Sequence, residues 1–287
     1  MQSPEVLAVD VGGTKMAVAR VDRTGAITWR GSAPTPAPAS ASAEDVWSVV
    51  AGLAERALRA GPVAACGAGC GGPMEGGDSV SPLHIPAWRG FPLRSRLAAL
   101  SAAPTGVDND ARALALGEGW RGGAVGTANY VAMVVSTGVG GGIVLDGRPL
   151  DGRTGNAGHI GHVTVVPGGR RCRCGARGCL EAEASGTALA AISGRPAGEA
   201  GPALVERTGR LVGRAVGIVA NLLDLDLATV AGSVALGFGA PFFRAARDEL
   251  AATARLPYSS TCRISPGPLG PDAPLIGAAA VAWREAG

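Results

Sequence analysis

The chain is almost without lysine. Of its 26 basic residues only Lys15 is a lysine, and the other 25 are arginines. A lysine ammonium is a compact point charge and an arginine guanidinium is a planar fork, so the two are not interchangeable close to a phosphate. Lys15 follows two glycines and a threonine. It is therefore either a stray residue in an arginine-biased chain or one that is kept for a phosphate.

Other absences exclude whole classes of protein. No run of about 18 apolar residues occurs, so we expect no transmembrane helix. The N-terminus has no positively charged region, and the apolar run behind it meets Asp10 at once, which is untypical of a signal peptide. We therefore expect a cytoplasmic protein. The net charge is only +3 and no basic run is long enough to follow a phosphate backbone, so we expect no nucleic-acid or membrane partner.

The pattern of what remains is that of an α/β protein. The chain has 287 residues, of which 47% are hydrophobic, enough for one large domain or two ordinary ones. Predicted strands alternate with predicted helices along its length. One unit occurs twice, about 125 residues apart: an apolar strand, a turn of glycine and threonine, and a second apolar strand. The first copy turns at residues 12–15 and the second at residues 136–142.

These glycine hairpins are candidate phosphate-binding loops. A glycine hairpin exposes backbone N–H groups, and with Thr14 and Lys15 the first one can hold phosphate oxygens. Asp10, at the end of the preceding strand, can reach a Mg²⁺ ion through a water molecule. Neither the Walker A spacing nor the Rossmann fingerprint is present. The alternative is that both loops are only tight turns, for which glycine pairs are common.

One stretch combines half of the cysteines with two of the three histidines. His162, Cys172, Cys174 and Cys179 make up the four ligands that a closed tetrahedral zinc site needs. Without an export signal, metal binding is favoured over a disulfide framework. The alternative is a surface loop with three reduced thiols. The remaining cysteines, at positions 66, 70 and 262, have no such context and are expected to be small buried residues.

A candidate general base lies between a predicted strand, residues 105–107, and a predicted helix, residues 111–119. Asp108, Asn109 and Asp110 follow one another there. A carboxylate at a strand-to-helix junction can accept a proton from a bound hydroxyl, and Asp110 is our candidate. The alternative is that these residues merely cap the helix.

Five motifs occur in one order along the chain. They are Asp10-x-Gly-Gly-Thr-Lys15, Asn109-Asp110, Ser136-Thr-Gly-x-Gly-Gly-Gly142, Gly158-x-x-Gly-His162 and Cys172-x-Cys-Gly-x-x-Gly-Cys-x-Glu181. The set resembles the ROK family of sugar kinases and sugar-responsive repressors, and the resemblance covers nearly the whole chain. Each glycine loop alone is a weak signal, whereas the whole set is highly specific.

The resemblance implies the two-domain actin-like, or ribonuclease-H-like, ATPase fold, with the active site in the interdomain cleft. On that fold we expect a smaller N-terminal α/β domain, residues 1–108 plus 275–287. A larger C-terminal α/β domain, residues 109–274, would contain the zinc loop, residues 162–179. The two glycine hairpins then become two phosphate loops, one in each domain.

The resemblance also implies roles for individual residues, with Asp110 as the general base. The residues implied to bind ATP and Mg²⁺ are Asp10, Gly12, Gly13, Thr14, Lys15, Thr137, Gly138, Gly232 and Ser233. Those implied to bind the sugar are Gly72, His84, Asn109, Asp110, His159, His162 and Glu181. The implied ligands of a structural zinc are His162, Cys172, Cys174 and Cys179. His162 would then serve both groups through its two ring nitrogens, and the alternative for Glu181 is a solvated surface carboxylate.

Two positions depart from the family pattern. Many family kinases have glutamate where this chain has His159, and many relatives have asparagine where it has His84. A carboxylate only accepts hydrogen bonds, whereas a neutral imidazole donates with one nitrogen and accepts with the other. Bacterial N-acetylmannosamine kinases look like this chain at position 159. All three histidines thus fall in the sugar site that the resemblance implies.

We therefore expect an ATP- and Mg²⁺-dependent kinase that phosphorylates the 6-hydroxyl of a hexose or aminohexose, with N-acetylmannosamine as the leading candidate. The alternatives are a glucokinase or an amino-glucose 6-kinase, and a sugar-sensing regulator without turnover. The chain begins a few residues before the first phosphate loop, which leaves no room for a helix-turn-helix and argues against the regulator. Family members are commonly dimers or tetramers, so we expect a homo-oligomer.

Overall fold

The computed structural model describes residues 3–37, 41–82 and 84–287. The strands are β1 (Glu5–Val11), β2 (Lys15–Asp22), β3 (Ile27–Pro34), β4 (Cys66–Cys70), β5 (Met74–Glu75), β6 (Ser79–Val80), β7 (Thr105–Asn109), β8 (Tyr130–Val135), β9 (Val139–Leu145), β10 (Arg148–Pro149), β11 (Leu227–Ala231) and β12 (Arg263–Pro266). The α-helices are α1 (Ala43–Leu58), α2 (Leu93–Ser101), α3 (Asp110–Arg121), α4 (Leu180–Ala184), α5 (Gly186–Ser193), α6 (Pro202–Leu223), α7 (Ser233–Thr253) and α8 (Ala273–Ala286).

The chain forms two compact units of nearly equal length. The first unit consists of Met1–Arg121, Asp151–Ala157 and Pro271–Gly287, and the second of Gly122–Leu150 and Gly158–Gly270. This division differs from the expected domains, which placed the boundary at 108/109 and made the second domain larger. Helix α3 belongs to the first unit because it packs on α8, which also covers β1 and β4.

The first unit is built on a five-stranded sheet in the order β3-β2-β1-β4-β7. Strands β1, β2 and β3 pair antiparallel, whereas β4 is parallel to both β1 and β7. Helix α8 lies very close to β4, since a Cβ atom on Gly67 would fall 2.1 Å from the carbonyl oxygen of Ala278. The run of glycine and alanine in α8 permits this approach, and it holds the carboxyl ends of the parallel strands on a rigid base.

The second unit repeats this topology. Its sheet has the order β10-β9-β8-β11-β12, with β8, β9 and β10 antiparallel and with β11 parallel to β8 and β12. All five residues of β11 are buried, as expected of a central parallel strand covered on both faces. The repeated strand–hairpin–strand unit and the α/β class are therefore confirmed.

Three local predictions were wrong. The stretch 31–43 is rich in alanine, proline and serine, which predicts an exposed loop, but strand β3 continues to Pro34, and residues 38–40 lie outside the described residues. The sequence pattern predicts a helix from Pro241 to Ala254, whereas the helix begins at Ser233 and has a non-helical residue at Gly239, after which Pro241 restarts it. The run after His162 is strand-like in sequence, but in the described structure it forms isolated bridges only, with Thr164 paired to Cys179.

No α-helix in the described part of the chain is both long enough and apolar enough to cross a membrane.

Candidate functional site

The first glycine hairpin joins β1 to β2 and has a defined shape. Gly12 donates its N–H to the carbonyl of Lys15 over 3.1 Å, and a Cβ on Gly12 would lie 2.7 Å from that carbonyl oxygen. Thr35 holds the loop from outside, since its hydroxyl donates to the carbonyl of Gly12 over 2.7 Å. Gly13, Thr14 and Lys15 are exposed. The hairpin therefore presents free backbone N–H groups, a hydroxyl and an ammonium to solvent.

Sequence reasoning missed Thr35. Its N–H also bonds the carbonyl of Thr14, over 3.0 Å, so Thr35 braces both sides of the turn. The residue follows a strand that runs longer than its sequence indicates, and no sequence signal marks it.

Two carboxylates approach each other beside this hairpin. The pKa of Asp10 is raised to about 7, first by burial and then by the negative charge of Asp110, while Lys15 acts in the opposite direction. Asp10 lies at the end of β1, and Asp110 is the first residue of α3. Like charges held together in a partly buried site favour a cation, so the pair is suited to a divalent ion at this edge of the sheet. The set of oxygen donors fits Mg²⁺.

Asn109 and Asp110, at the start of α3, both contribute to its cap. The side-chain oxygen of Asn109 accepts from the N–H of Ala111 over 3.0 Å, and its amide donates to the carbonyl of Gly72 over 3.2 Å. Asp110 Oδ1 lies 2.8 Å from the same N–H, while Oδ2 lies 3.3 Å from the position of a Cβ on Gly71. One oxygen of Asp110 thus takes part in the cap, and the capping role does not exclude a catalytic one.

Asp108 is held by an arginine that sequence reasoning also missed. Arg112 is buried, and its Nε lies 3.2 Å from a carboxylate oxygen of Asp108. It also pairs with Asp151 and donates to the carbonyl of Gly155 over 2.7 Å. The i,i+4 spacing of Asp108 and Arg112 was the available signal. The result is a rigid start for α3, directly around Asn109 and Asp110.

His84 lies against the first hairpin. A Cβ atom on Gly13 would come within 2.6 Å of the Cβ of His84, and the His84 side chain is exposed. Gly72 adopts a positive φ of 91° and packs on Pro82, so the turn after β4 requires glycine. The first unit therefore brings together all of its predicted site residues: Asp10, Gly12, Gly13, Thr14, Lys15, Gly72, His84, Asn109 and Asp110.

The second hairpin joins β8 to β9 and lies beside the start of α7. The hydroxyls of Ser136 and Ser233 are 2.9 Å apart, and Gly232 packs so tightly that a Cβ would lie 2.4 Å from the carbonyl oxygen of Val135. The carbonyl of Thr137 accepts from the hydroxyl of Thr187 over 2.9 Å. The predicted residues Thr137, Gly138, Gly232 and Ser233 are thus neighbours. The positive end of α7 adds to the attraction for an anion.

Glu181 is tied to this hairpin and is not a freely solvated carboxylate. It lies in the short helix α4, immediately after the zinc loop. Its Oε2 accepts from the N–H of Val139 over 3.1 Å and would lie 3.0 Å from a Cβ on Gly138. A side chain at position 138 would therefore push this carboxylate slightly away from the loop.

The four predicted zinc ligands come together. Their ligand atoms all lie within 4.8 Å of one another, with His162 Nδ1 3.7 Å from Cys172 Sγ and with the sulfurs of Cys174 and Cys179 3.7 Å apart. In a tetrahedral zinc site with ordinary bond lengths, such atoms are about 3.5–3.8 Å apart. Burial and the neighbouring thiols raise the pKa of the Cys179 thiol to about 12, a cost that a bound cation offsets. The donor set fits zinc.

His159 lies near His162, the histidine of this ligand set. Its ring is 6.2 Å from that of His162, measured between centroids, and both side chains are exposed. All the predicted site residues of the second unit are thereby placed beside either the second hairpin or the zinc loop.

Two copies of one sheet, each with a glycine hairpin, define the class: a mixed α/β, actin-like ATPase fold. The ROK family model matches residues 6–285, and the chain belongs to the ROK family.

Particular relatives refine this assignment. An N-acetylmannosamine kinase of Citrobacter koseri is 37% identical over 250 residues, which cover 81% of this chain and 84% of the relative. The ROK hexokinase of Thermus thermophilus superposes with a TM-score of 0.83 at 34% identity and 98% coverage of both chains. A ROK family glucokinase of Streptomyces griseus, solved with glucose and AMPPNP, gives a TM-score of 0.82 at 27% identity, covering 98% of this chain and 99% of that one.

Proposed function

We propose that the protein is an ATP-dependent sugar kinase that transfers a phosphoryl group to the 6-hydroxyl of a hexose or aminohexose. One observation carries the proposal: in a chain similar to sugar kinases, Asp110 begins a helix beside Asp10 and the Lys15 hairpin. A base, a phosphate-binding loop and a site for a divalent ion are the parts that phosphoryl transfer requires.

In this proposal Asp110 accepts the proton of the sugar hydroxyl as that oxygen attacks the γ-phosphorus, and the bond from this phosphorus to the β,γ-bridging oxygen breaks to release ADP. Asn109, held by Gly72 and Ala111, orients the sugar. Lys15 and the backbone N–H groups of the two hairpins neutralise the phosphate oxygens, and Gly232 and Ser233 lie on the nucleotide side. Mg²⁺, when bound near Asp10, supplies further charge neutralisation. Catalysis of this kind is mainly positioning and electrostatic stabilisation.

The zinc in this proposal is structural. Four protein ligands leave no open position for a reacting water. Its role is to hold His162, and with it the start of α4, so that the free ring nitrogen of His162 and the free oxygen of Glu181 meet sugar hydroxyls.

N-acetylmannosamine is the substrate that we propose first. The Citrobacter relative supports it, and so does an imidazole at position 159, which can both donate and accept a hydrogen bond. Glucose or an amino-glucose is the second candidate, and the Streptomyces glucokinase favours it. We further propose a homodimer or homotetramer, which light scattering tests.

A coupled ADP-release assay across hexoses and N-acyl hexoses tests the proposal. We expect release with one or more sugars, greatest with N-acetylmannosamine. Glucose as the best substrate would remove the N-acetylmannosamine assignment, and no release with any sugar would favour a sugar-sensing regulator.

A further inference from the structure

A buried carboxylate next to the sugar-binding set has no part in the mechanism above. Glu183 lies in α4, two residues beyond Glu181, and is 2% exposed. Its Oε2 accepts from the guanidinium of Arg207 over 2.5 Å, and its Oε1 accepts from the backbone N–H of Arg170 over 2.7 Å. Since an unpaired buried charge is costly, this carboxylate depends on both partners.

The contact with the zinc loop is closely fitted. A Cβ atom on Gly169 would lie 2.4 Å from Glu183 Oε1, so only glycine leaves room for the carboxylate at that point. Arg207 also donates to the backbone carbonyl of Glu183, over 3.0 Å. Arg207 of α6 therefore holds both the side chain and the main chain of Glu183, which in turn holds the middle of the zinc loop.

A second arginine of α6 holds the same loop at another point. Arg214 donates to the carbonyl of Val165 over 3.1 Å, and Glu249 of α7 accepts from its Nε over 2.8 Å. Arg207 and Arg214 are seven residues apart, which is two helical turns, so they lie on one face of α6. The contact of Arg214 at Val165 and that of Glu183 at Arg170 both fall between the ligands His162 and Cys172.

We propose that Arg207 and Arg214, together with Glu183, are positioning residues that preorganise the zinc loop from α6. Residues 163–171 separate His162 from the three cysteines, and a free loop would lose conformational entropy when the ligands converge on one ion. Partners that hydrogen-bond metal ligands directly typically contribute about 10- to 100-fold to metal affinity, and we take the lower end of that range for contacts that order the segment between the ligands. The same contacts hold α4, and with it Glu181, against the second hairpin. That last step rests on the proposed kinase function.

The rival explanation is that these ion pairs only stabilise the packing of α6. Both explanations predict a lower melting temperature when an arginine is removed. Only preorganisation predicts weaker zinc binding by the folded protein, together with a rise in KM for the sugar and not for ATP.

Arg207→Ala and Arg214→Ala are the main variants, and Arg210→Ala is the matched control. Arg210 is on the same helix, where it forms an exposed ion pair with Glu206 at 3.7 Å. Zinc affinity is measured on the whole protein by competition with a chromogenic chelator, and KM is measured for both substrates. Arg207→Lys keeps the charge and serves as a milder variant if Arg207→Ala does not fold.

We expect a loss of zinc affinity of about tenfold or more in each alanine variant and a smaller loss in Arg207→Lys. We expect KM for the sugar to rise at least fivefold, with KM for ATP within twofold, and Arg210→Ala to match the wild type. Zinc affinity unchanged in the folded variants, or lowered equally by Arg210→Ala, would overturn the proposal. If the wild type shows no phosphoryl transfer, the proposed function fails, while zinc affinity still decides the preorganisation.

Discussion

The two hairpins have the same place in their sheets, but the first carries charged side chains and the second does not. Each lies between the first two antiparallel strands of its sheet, and each sheet has the same strand order. The first hairpin carries Lys15 and is flanked by Asp10, with Asp110 near by. The second, residues 136–142, contains only serine, threonine, valine and glycine. The charged residue beside the second hairpin, Glu181, belongs to helix α4.

This difference shows how a duplicated scaffold can divide its work. Backbone N–H groups are available in either copy, because they follow from the hairpin alone. Proton transfer and charge neutralisation depend on side chains, and those groups cluster around the first copy. We therefore expect substitutions near the first hairpin to affect turnover most, and those near the second to affect binding.

The largest effect is expected for Asp110→Asn. An amide cannot accept the proton of the sugar hydroxyl, although it can still cap α3, so we expect a folded protein with kcat lowered by about 10³-fold or more. Coupled ADP release measures kcat, and circular dichroism checks the fold. Asp248→Asn, an exposed change on α7, is the control and should leave kcat unchanged. Ordinary turnover in Asp110→Asn would remove the general-base assignment.

Lys15→Arg tests whether the single lysine matters as a point charge. A guanidinium keeps the charge but does not fit a site shaped for an ammonium, so we expect kcat/KM for ATP to fall by about 10- to 100-fold. The reciprocal control is Arg30→Lys, at an exposed pair with Asp272, which should stay within about twofold. Equal behaviour of the two variants would mean that Lys15 is an ordinary surface residue.

Asp10→Asn should stabilise the protein in a pH-dependent way when Mg²⁺ is absent. Because the pKa of Asp10 rises from an ordinary 3.8 to about 7 on folding, the wild type loses stability as the pH rises between these values. The amide avoids this cost. We expect the variant to be more stable by about 4 kcal/mol at pH 8 and by little near pH 4, measured by urea unfolding.

Asp22→Asn is expected to change the stability at pH 8 in the opposite direction, to a less stable protein. Hydrogen bonds from Thr24 and from backbone N–H groups lower the pKa of the exposed Asp22, so its contribution is present at pH 8 and is lost at low pH. A stability gain at pH 8 in both variants would contradict the account of Asp10.

The smallest effect is expected for Gly138→Ala in the second hairpin. The added methyl would lie 3.0 Å from Glu181 Oε2, so the carboxylate must shift away from Val139. We expect KM for the sugar to rise about fivefold with little change in kcat. Gly52→Ala is the matched control, because its methyl would meet no atom within 4 Å and it lies in helix α1. A larger fall in kcat than in Lys15→Arg would reverse the proposed division between the hairpins.

Much of the fold was accessible from the sequence because it rests on strong local patterns. Apolar runs that end in glycine turns identified both hairpins, and the apolar spacing of residues 202–223 predicts the long helix α6 that the structure shows there. The four zinc ligands were found because cysteine and histidine are scarce and their spacing is informative.

The supporting contacts were not accessible in the same way. Thr35 reaches the first hairpin, and Arg207 reaches Glu183, from 23 and 24 residues away along the chain. No periodicity links such positions, since the contacts depend on how whole elements pack. In the same way, residues 151–157 join the first unit through Arg112 and through a pair of bonds between Asn156 and Met74.

The central claim is that the protein transfers the γ-phosphoryl group of ATP to a sugar. The most direct test is ³¹P NMR of the product formed from ATP, Mg²⁺ and N-acetylmannosamine by the wild-type protein, with Asp110→Asn in parallel. The account predicts a sugar 6-phosphate that appears together with ADP in the wild type and is almost absent in the variant. The account would be contradicted if ADP and inorganic phosphate formed but no sugar phosphate appeared, either with N-acetylmannosamine or with glucose.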